Sequence, residues 1–264
     1  MKIKHTSLSL AAAAIALVAC ASASSLNMLT HSTVAGRFSA LRVSGSLGVE
    51  LRQVPDSAGM VVVEASERAM PHVKISNTDG TLHVNYTPDE PSRHYGREVK
   101  RVVVYCGEGG VGQLTLGGSG AISATGLRTR GDLTAVLSGS GAMSLRDVSC
   151  ANFTATLSGS GALSLDGVKA RNVSTSLIGS GALSADVDAT AFNCTVSGSG
   201  AASVRGKADK VSLALRGSGV LDASRLGCSQ LSVSAAGSGI LKYNTSVTPK
   251  IVSGRASAPG IITK

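Results

Sequence analysis

Tryptophan is absent from this chain of 264 residues, and aromatic side chains make up only 3% of it. Charged residues contribute 16%, below the roughly 25% of an ordinary soluble domain. Because 43% of the residues are apolar, the chain is neither a disordered tail nor a charged coiled coil. Proline occurs six times and glycine lacks a three-residue period, which excludes collagen. A core with so few rings must be narrow and filled with Leu, Val and Ala.

Long apolar runs are also missing, because no segment after residue 20 reaches the ~18 apolar residues of a transmembrane helix. Residues 1–20, MKIKHTSLSLAAAAIALVAC, have the charged start and short apolar stretch of a signal peptide. Residues 17–20 resemble the lipobox of bacterial lipoproteins, which implies a lipid on Cys20, and Ala21 in place of Asp points to the outer membrane. Ordinary cleavage, with release into the periplasm or medium, stays open as the alternative. Residues 21–32 read as a linker.

The triplet Gly-Ser-Gly recurs seven times at intervals of 19 to 21 residues. Its central serines are Ser119, Ser140, Ser160, Ser180, Ser199, Ser218 and Ser238. Apolar residues stand three, five and seven positions before these serines, and again three and five positions after them. A spacing of two is typical of strands with one buried face, and a fixed period near 20 is typical of a solenoid.

These patterns predict an all-β fold, a parallel β-helix or closely related β-solenoid in which each repeat forms one rung. Helices are excluded because a Gly-Ser-Gly in every repeat would break them. Antiparallel hairpins would not keep like residues at one offset, whereas rungs stacked ~4.8 Å apart do. We expect each Gly-Ser-Gly to form a structural corner, where glycine adopts positive φ and lets the stacked backbones approach each other.

The outward positions of the predicted strands carry Ser and Thr and almost no charge. Charges are predicted to gather in the loop that joins one rung to the next, on an edge with a basic surplus. Residues 111–264 carry fourteen basic and seven acidic side chains. The candidate ligand-contact residues on this edge are Arg128, Arg130, Arg146, Lys169, Arg171, Arg205, Lys207 and Lys210.

No catalytic, cofactor-binding or metal site is predicted. The edge aspartates stand among basic residues, as in solvated salt bridges, and the solenoid contains no histidine. The corner serines have no His or Lys base at a fixed offset. His72, His83 and His94 lack the spacing of metal ligands, and the predicted hairpin keeps His72 away from His83.

Four cysteines remain after the signal peptide. Cys150, Cys194 and Cys228 are predicted to lie about two rungs apart, beyond the ~7 Å between Cα atoms that a disulfide spans. Cys106 falls outside the regular ladder. Cys194 falls on an inward offset, so we expect a small buried hydrophobic residue there.

Residues 33–110 differ in composition from the repeat, since they contain all six glutamates. Strands are predicted at 38–43, 49–54, 61–65, 73–75, 82–86 and 99–105, with a hairpin turn at Asp79-Gly80. The predicted organisation is a β-rich part at 33–110, the Gly-Ser-Gly solenoid at 111–245 and a C-terminal cap or tail at 246–264.

Three segments and the Gly-Ser-Gly ladder carry a resemblance to a known family. The segments are RFSALRVSGSLGVELRQ (37–53), ERAMPHVKISNTDGTLHVNY (67–86) and REVKRVVVYCGEGGVGQLTLGGSGAIS (97–123). The chain resembles the bacterial family called "putative auto-transporter adhesin, head GIN domain". The resemblance implies an exported all-β protein with β-helical stacking and brings no catalytic residues. Alanine follows most triplets where the family often has an acidic residue, which weakens the case for a calcium site.

The leading hypothesis is a non-enzymatic cell-envelope solenoid whose repetitive Ser/Thr face serves adhesion or assembly. Its expected partners are surface polysaccharide, envelope components or another solenoid. Two alternatives remain open: a polysaccharide-active β-helix enzyme, and a module that binds anionic glycans or lipopolysaccharide through the basic edge. Nucleic acid is not an expected partner, because the chain is expected to be exported and to lack exposed aromatic side chains for base stacking. Membrane contact is expected only through the N-terminal lipid.

Overall fold

The computed structural model describes residues 28–87, 98–253, 255–258 and 261–263. It is a β-solenoid of about seven turns, which confirms the predicted fold class. The predicted signal peptide and Cys20 lie outside the described residues. Within those residues, no helix is long and apolar enough to cross a membrane.

In the described residues we define twenty strands and two short 3-10 helices, Pro55–Ser57 and Met70–His72. The strands are β1 (Met28–Val34), β2 (Ala40–Gly45), β3 (Gly48–Gln53), β4 (Met60–Ser66), β5 (Val73–Thr78), β6 (Thr81–Tyr86), β7 (Val99–Cys106), β8 (Gln113–Gly118), β9 (Ala121–Thr125), β10 (Leu133–Gly139), β11 (Ala142–Ser149), β12 (Asn152–Gly159), β13 (Ala162–Gly179), β14 (Ala182–Gly198), β15 (Ala201–Gly217), β16 (Val220–Ala236), β17 (Ile240–Tyr243), β18 (Lys250–Ser253), β19 (Arg255–Ala258) and β20 (Ile261–Thr263).

The strands form two stacks, which we call sheet A and sheet B. Sheet A contains the strands that precede each corner, in the order β5, β6, β2, β8, β10, β12, the C-terminal halves of β13 to β16, and β18. Sheet B contains the strands that follow each corner, in the order β1, β4, β7, β3, β9, β11, the N-terminal halves of β13 to β16, β17, β20 and β19. The repeat strands are parallel and in register, as predicted.

The Gly-Ser-Gly triplets stack directly on one another at one side of the rod. The first glycine has a positive φ, 118° at Gly139 and 121° at Gly159, a region that favours glycine. The carbonyl of Gly139 accepts hydrogen bonds from the N–H groups of Ser160 (3.1 Å) and Gly161 (3.0 Å) in the next rung. Each corner is therefore the hydrogen-bonding template for the next.

An eighth corner at residues 44–48 was not among the predicted ones. Gly45 has a φ of 90° and pairs with Gly118, but Leu47 stands in the place of the second glycine. A Cβ on Gly120 would lie 2.3 Å from the carbonyl oxygen of Leu47, so the second glycine is required by the corner on which it stacks. Leu47 itself stacks on no triplet, because the neighbouring β6 and β7 are joined through residues 87–98. Leucine fits there for that reason.

The N-terminal strands join the same stack in an order that differs from their order along the chain. The rung made of β2 and β3 lies between the rung of β6 and β7 and the rung of β8 and β9. Strands β4 and β5 lie beyond the β6–β7 rung, where β4 runs antiparallel to β7 and β5 antiparallel to β6. Asp79 and Gly80 form the predicted hairpin turn between β5 and β6, with φ of 51° and 73°. Residues 28–32 of the predicted linker belong to strand β1, whose sequence MLTHSTV shows no clear alternation of apolar and polar residues.

The core is a thin column of stacked aliphatic ladders, as the low aromatic content predicts. The positions three, five and seven residues before Ser140 and before each later corner serine are all buried, with Phe153 and Phe192 as the largest side chains. Cys194 is 1% exposed and belongs to this column. A further buried ladder, not predicted, runs through Val148, Val168 and Val187 on the side opposite the corners.

The prediction of a loop between successive rungs is wrong for β13 to β16. From β13 to β16 the strand continues through this side without interruption, because the buried valine ladder and small neighbours such as Ala189 and Ala208 allow a gradual bend. Among the pairings of β13 to β16 with one another, the register shifts at two places, between Leu165 and Val168 and between Ser203 and Arg205. The variation in repeat length is absorbed there.

The corner geometry predicts the effect of adding one methyl group. Gly159→Ala would place a Cβ 2.5 Å from the carbonyl oxygen of Gly139 at a positive φ. We expect it to destabilise the fold by about 2 kcal/mol or more, seen as a lower urea midpoint of residues 24–264. Gly131→Ala is the matched control, since its Cβ meets no atom within 4 Å. Equal midpoints for the two variants would contradict the role assigned to the corners.

Candidate functional site

Four outward surfaces of the rod carry its polar chemistry, and the structure separates them clearly. The corner surface presents Ser119, Ser140, Ser160, Ser180, Ser199, Ser218 and Ser238, all of them exposed. The outer face of sheet B lies on one side of these serines, and the outer face of sheet A on the other. Opposite the corners lies the charged edge, formed by the residues between the two sheets of each rung.

The outer face of sheet B next to the corner has two regular rows. The nearer row is apolar and mostly exposed: Ala121, Ala142, Ala162, Ala182, Ala201, Val220 and Ile240. The farther row contains Ser123, Ser144, Ser164, Ser184 and Ser203, paired in register. With the corner serines these rows form a band, which we call the serine–alanine band. Its alanine row is bounded by two rows of hydroxyls.

Charges close the serine–alanine band at both ends. Glu50 pairs with Ser123 at one end, and Asp222 and Lys242 continue the row beyond Ser203 at the other. Glu50 accepts hydrogen bonds from Arg52 (2.6 Å) and Arg101 (2.9 Å), and these guanidinium groups hold the pKa of its carboxyl below the ordinary value. The uncharged stretch from Ser123 to Ser203 spans four rung steps, about 19 Å.

The outer face of sheet A is also almost uncharged but less regular. Thr154, Ser174 and Ser212 are exposed members of its row farthest from the corner. The row nearest the corner is interrupted by Ile178, which is 49% exposed, and by Arg216. The predicted Ser/Thr surface therefore has two sides, and the one on sheet B has the more regular chemistry.

The charged edge is held together by ion pairs between rungs. Arg205 bonds Asp186 (2.8 Å) and reaches Asp166 two rungs away (3.1 Å), while Lys207 pairs with Asp188 (3.4 Å). An amide chain runs alongside, in which Asn172 donates to Asn152 (2.7 Å) and Asn152 donates to Asp132 (2.7 Å).

Arg128 has a structural role at the start of this edge. Its guanidinium pairs with Asp147 (2.8 Å), and its backbone N–H donates to the side-chain oxygen of Gln53 (2.7 Å). The amide of Gln53 donates in turn to the carbonyl oxygens of Gly107, Glu108 and Arg128.

The predicted ligand-contact residues thus divide into two groups. Arg128, Arg205 and Lys207 are bound to carboxylates of neighbouring rungs. The remaining five, which make no ion pair with the residues that the structure describes, are Arg130, Arg146, Lys169, Arg171 and Lys210. A shallow open depression of about 490 Å³ lies on this edge, lined by Asp188, Lys207, Asp209 and Cys228 among others.

The described part of the chain contains neither a cluster of metal-ligating side chains nor a disulfide. No group of three or more His, Cys, Asp or Glu side chains is arranged to hold a metal ion in residues 28–87 and 98–253. His83 pairs with Ser76 and lies apart from His72, as the hairpin register predicts, whereas His94 lies outside the described residues. Cys106, Cys150, Cys194 and Cys228 are all free thiols.

Burial makes these thiols weak acids. Desolvation raises the pKa of Cys106, Cys150 and Cys194 to about 11, and it raises that of Cys228 as well. Because the thiolate is the nucleophile, all four are poor nucleophiles at neutral pH.

With the geometry established, comparison with known proteins identifies the family. A family model described as "Putative auto-transporter adhesin, head GIN domain" matches residues 37–186 and 155–262. The chain belongs to this family. Membership places it with adhesin-like surface proteins as a class, and the family description names no reaction. None of the curated proteins matches the chain.

Three solved structures show the same fold. A "putative adhesin" from Bacteroides fragilis NCTC 9343 is 15% identical, with a TM-score of 0.63 over 86% of this chain and 94% of that one. A "putative lipid binding protein" from Parabacteroides distasonis ATCC 8503 is 20% identical, with a TM-score of 0.70 over 86% and 92%. A "putative adhesin" from the same strain is 15% identical, with a TM-score of 0.54 over 87% and 95%.

The raised thiol pKa values predict a slow, pH-dependent alkylation. At pH 8 a thiol with a pKa of about 11 is only about one thousandth ionised, so residues 24–264 should react sluggishly with iodoacetamide. The rate of labelling at Cys150 should rise about tenfold per pH unit up to pH 10, followed by mass spectrometry of peptides. Unfolding in guanidinium should expose all four thiols. Fast labelling of folded Cys194 at pH 7, or any disulfide, would contradict the structure.

Proposed function

We propose that this protein is a non-enzymatic adhesin-like surface protein that binds a neutral, extended polysaccharide along the serine–alanine band. The observation that carries the proposal is the in-register arrangement of an alanine row between two serine rows. A sugar ring has an apolar C–H face and hydroxyls at its edge, so an apolar row flanked by hydroxyls complements it. Since every rung repeats the same contact, the partner must itself be long and repetitive.

The absence of charge on this band favours a neutral chain. From Ser123 to Ser203 the outward side chains of the two rows are serine and alanine only. An anionic chain would find no cation there, and weak repeated contacts would replace the stacking that aromatic residues provide in other sugar-binding proteins. Affinity would come from the number of rungs engaged.

The polysaccharide proposal predicts that one bulky side chain on the band blocks binding. Ala182→Arg, at an exposed position in the middle of the alanine row, should weaken glycan-array binding of residues 24–264 at least about tenfold. Ser174→Arg is the matched control, because it adds the same exposed side chain to sheet A of a nearby rung. Equal loss in both variants, or no binding to any neutral glycan, would overturn the proposal.

The basic edge supports a second candidate, the binding of anionic glycans or lipopolysaccharide. Its specific support is the group of cations that make no ion pair with the described residues. Lys169 and Arg171 belong to one rung of this group, and Arg130 lies about two rungs away on the same edge. Changing these three to Gln should abolish binding to anionic glycans and leave neutral glycans unaffected. Binding through this edge should also disappear above about 0.5 M salt, because exposed charges are screened.

A polysaccharide-active enzyme remains the least supported alternative. Asp166 and Asp186 both face Arg205, so these carboxylates neutralise a cation of their own edge. Hydrolysis or lysis of a bound glycan by residues 24–264, detected as new reducing ends, would favour the enzyme over the binding protein.

Attachment to the cell envelope through Cys20 is part of the same proposal and has its own test. Cys20→Ser in the full chain should abolish incorporation of labelled fatty acid and move the protein from the membrane fraction to the soluble fraction. Ala23→Leu is the control, since it alters the competing cleavage site and leaves the cysteine intact. Unchanged membrane association of the Cys20→Ser variant would show that the lipid anchor is not used.

A further inference from the structure

The end of the rod at β1 is an open edge of sheet B. Among the described strands β1 pairs only with β4, through all seven residues from Met28 to Val34 and without a register shift. Its other edge therefore presents a regular row of N–H and C=O groups. Soluble proteins protect such edges with charge, proline, bulges or short strands. Strand β1 contains no Lys, Arg, Asp, Glu or Pro.

The opposite end of the rod is protected in a way that β1 is not. Its strands β18, β19 and β20 contain four, four and three residues, and pairing is irregular in β18 and β19. Short, irregular strands make poor templates for further pairing. Because this end is a poor template for an added strand, head-to-tail stacking of β1 onto it is disfavoured.

We propose that β1 is a self-association surface, on which a second copy of this chain pairs its own β1 antiparallel about a two-fold axis. In such a pair, directly opposed residues must point to the same face of the sheet. Leu29, His31 and Thr33 lie on the same face of sheet B as the buried Val61 and Val63 of β4. The core-facing sides of the two copies therefore lie on the same side of the joined sheet only if the two-fold axis passes between a residue and the same residue of the second copy.

An axis through His31 uses the whole strand. Met28 then lies opposite Val34 of the second copy, Leu29 opposite Thr33, and Thr30 opposite Ser32. Met28 and Val34 are 39% and 75% exposed, and both are among the few exposed large hydrophobic residues in the described chain. The symmetric pair brings these two side chains together twice. It also forms about six to eight backbone hydrogen bonds, because every second opposed pair exchanges two.

The hydrophobic surface at this end fits the same occupant. Met70, Val73 and Ile75 of the last rung are packed against the core and remain only partly buried. A symmetric partner would bring an identical apolar surface toward them. The chain's own N-terminus cannot replace that partner after cleavage before or after Cys20, because residues 21–27 are too few for a turn followed by a seven-residue strand.

The test uses charge pairs at the opposed positions of residues 24–264. The variant Thr30→Lys/Ser32→Lys places like charges opposite each other twice across the axis, whereas Thr30→Lys/Ser32→Glu places opposite charges there. We expect the native chain and the Lys/Glu variant to sediment at twice the protomer mass, and the Lys/Lys variant to sediment as a monomer. The two variants share the Thr30→Lys change beside Glu64, so they differ only at the second position.

Circular dichroism and the urea midpoint at low concentration check that both variants fold. A native chain that stays monomeric at about 100 µM would overturn the proposal, since the dissociation constant would then exceed that value. Equal masses for the Lys/Lys and Lys/Glu variants would exclude the His31-centred register. Mass that grows continuously with concentration would indicate head-to-tail stacking, which forms open filaments. None of these outcomes depends on whether the serine–alanine band binds polysaccharide.

Discussion

The close approach of one corner backbone to the next is the constraint on which this structure depends. At Gly161 a Cβ would lie 2.5 Å from the carbonyl oxygen of Gly141, and the same contact recurs from rung to rung. Only glycine leaves that carbonyl accessible to the next rung, and the hydrogen bonds it accepts fix the register of both sheets. Because the register is fixed at the corner, each side chain of a rung lies over its counterpart. The ladders inside and the rows outside are consequences of the same contact.

The outer surface is divided by the same register. Uncharged rows lie near the corners of the repeats, where the backbone geometry repeats most regularly, and the ion pairs between repeat rungs lie opposite, where repeat length varies. Arg205 bridging Asp166 and Asp186 shows that edge charges connect neighbouring rungs across the register shift between Leu165 and Val168. The regular serine–alanine band and the charged edge, where the repeat length varies, thus lie on different sides of the rod. This separation explains how 16% charge suffices to keep the protein polar without interrupting the serine–alanine band.

Much of the fold could be predicted because period and alternation are properties of the sequence itself. The Gly-Ser-Gly interval predicted the stacking, and the offset of Cys194 predicted its burial. The corner at Leu47 could not be recognised by the triplet, because its second glycine is needed only where another corner lies beneath. The continuous strands around Val168 were also missed, since their inward ladder is short and flanked by charges. Strand β1 is specified by its partner β4 and not by any pattern of its own.

The position of the β2–β3 rung has a consequence for the way the chain must acquire its structure. A solenoid whose rungs stack in chain order can add each rung to the one already made as the chain is synthesised. Here the first rung to emerge has both of its neighbours encoded later, in β6 to β9. It gains its first neighbour only when β6 and β7 have been made, up to residue 106, and its second only with β8 and β9. The N-terminal part therefore cannot be assembled rung by rung in chain order, whereas the repeats from β8 onward can.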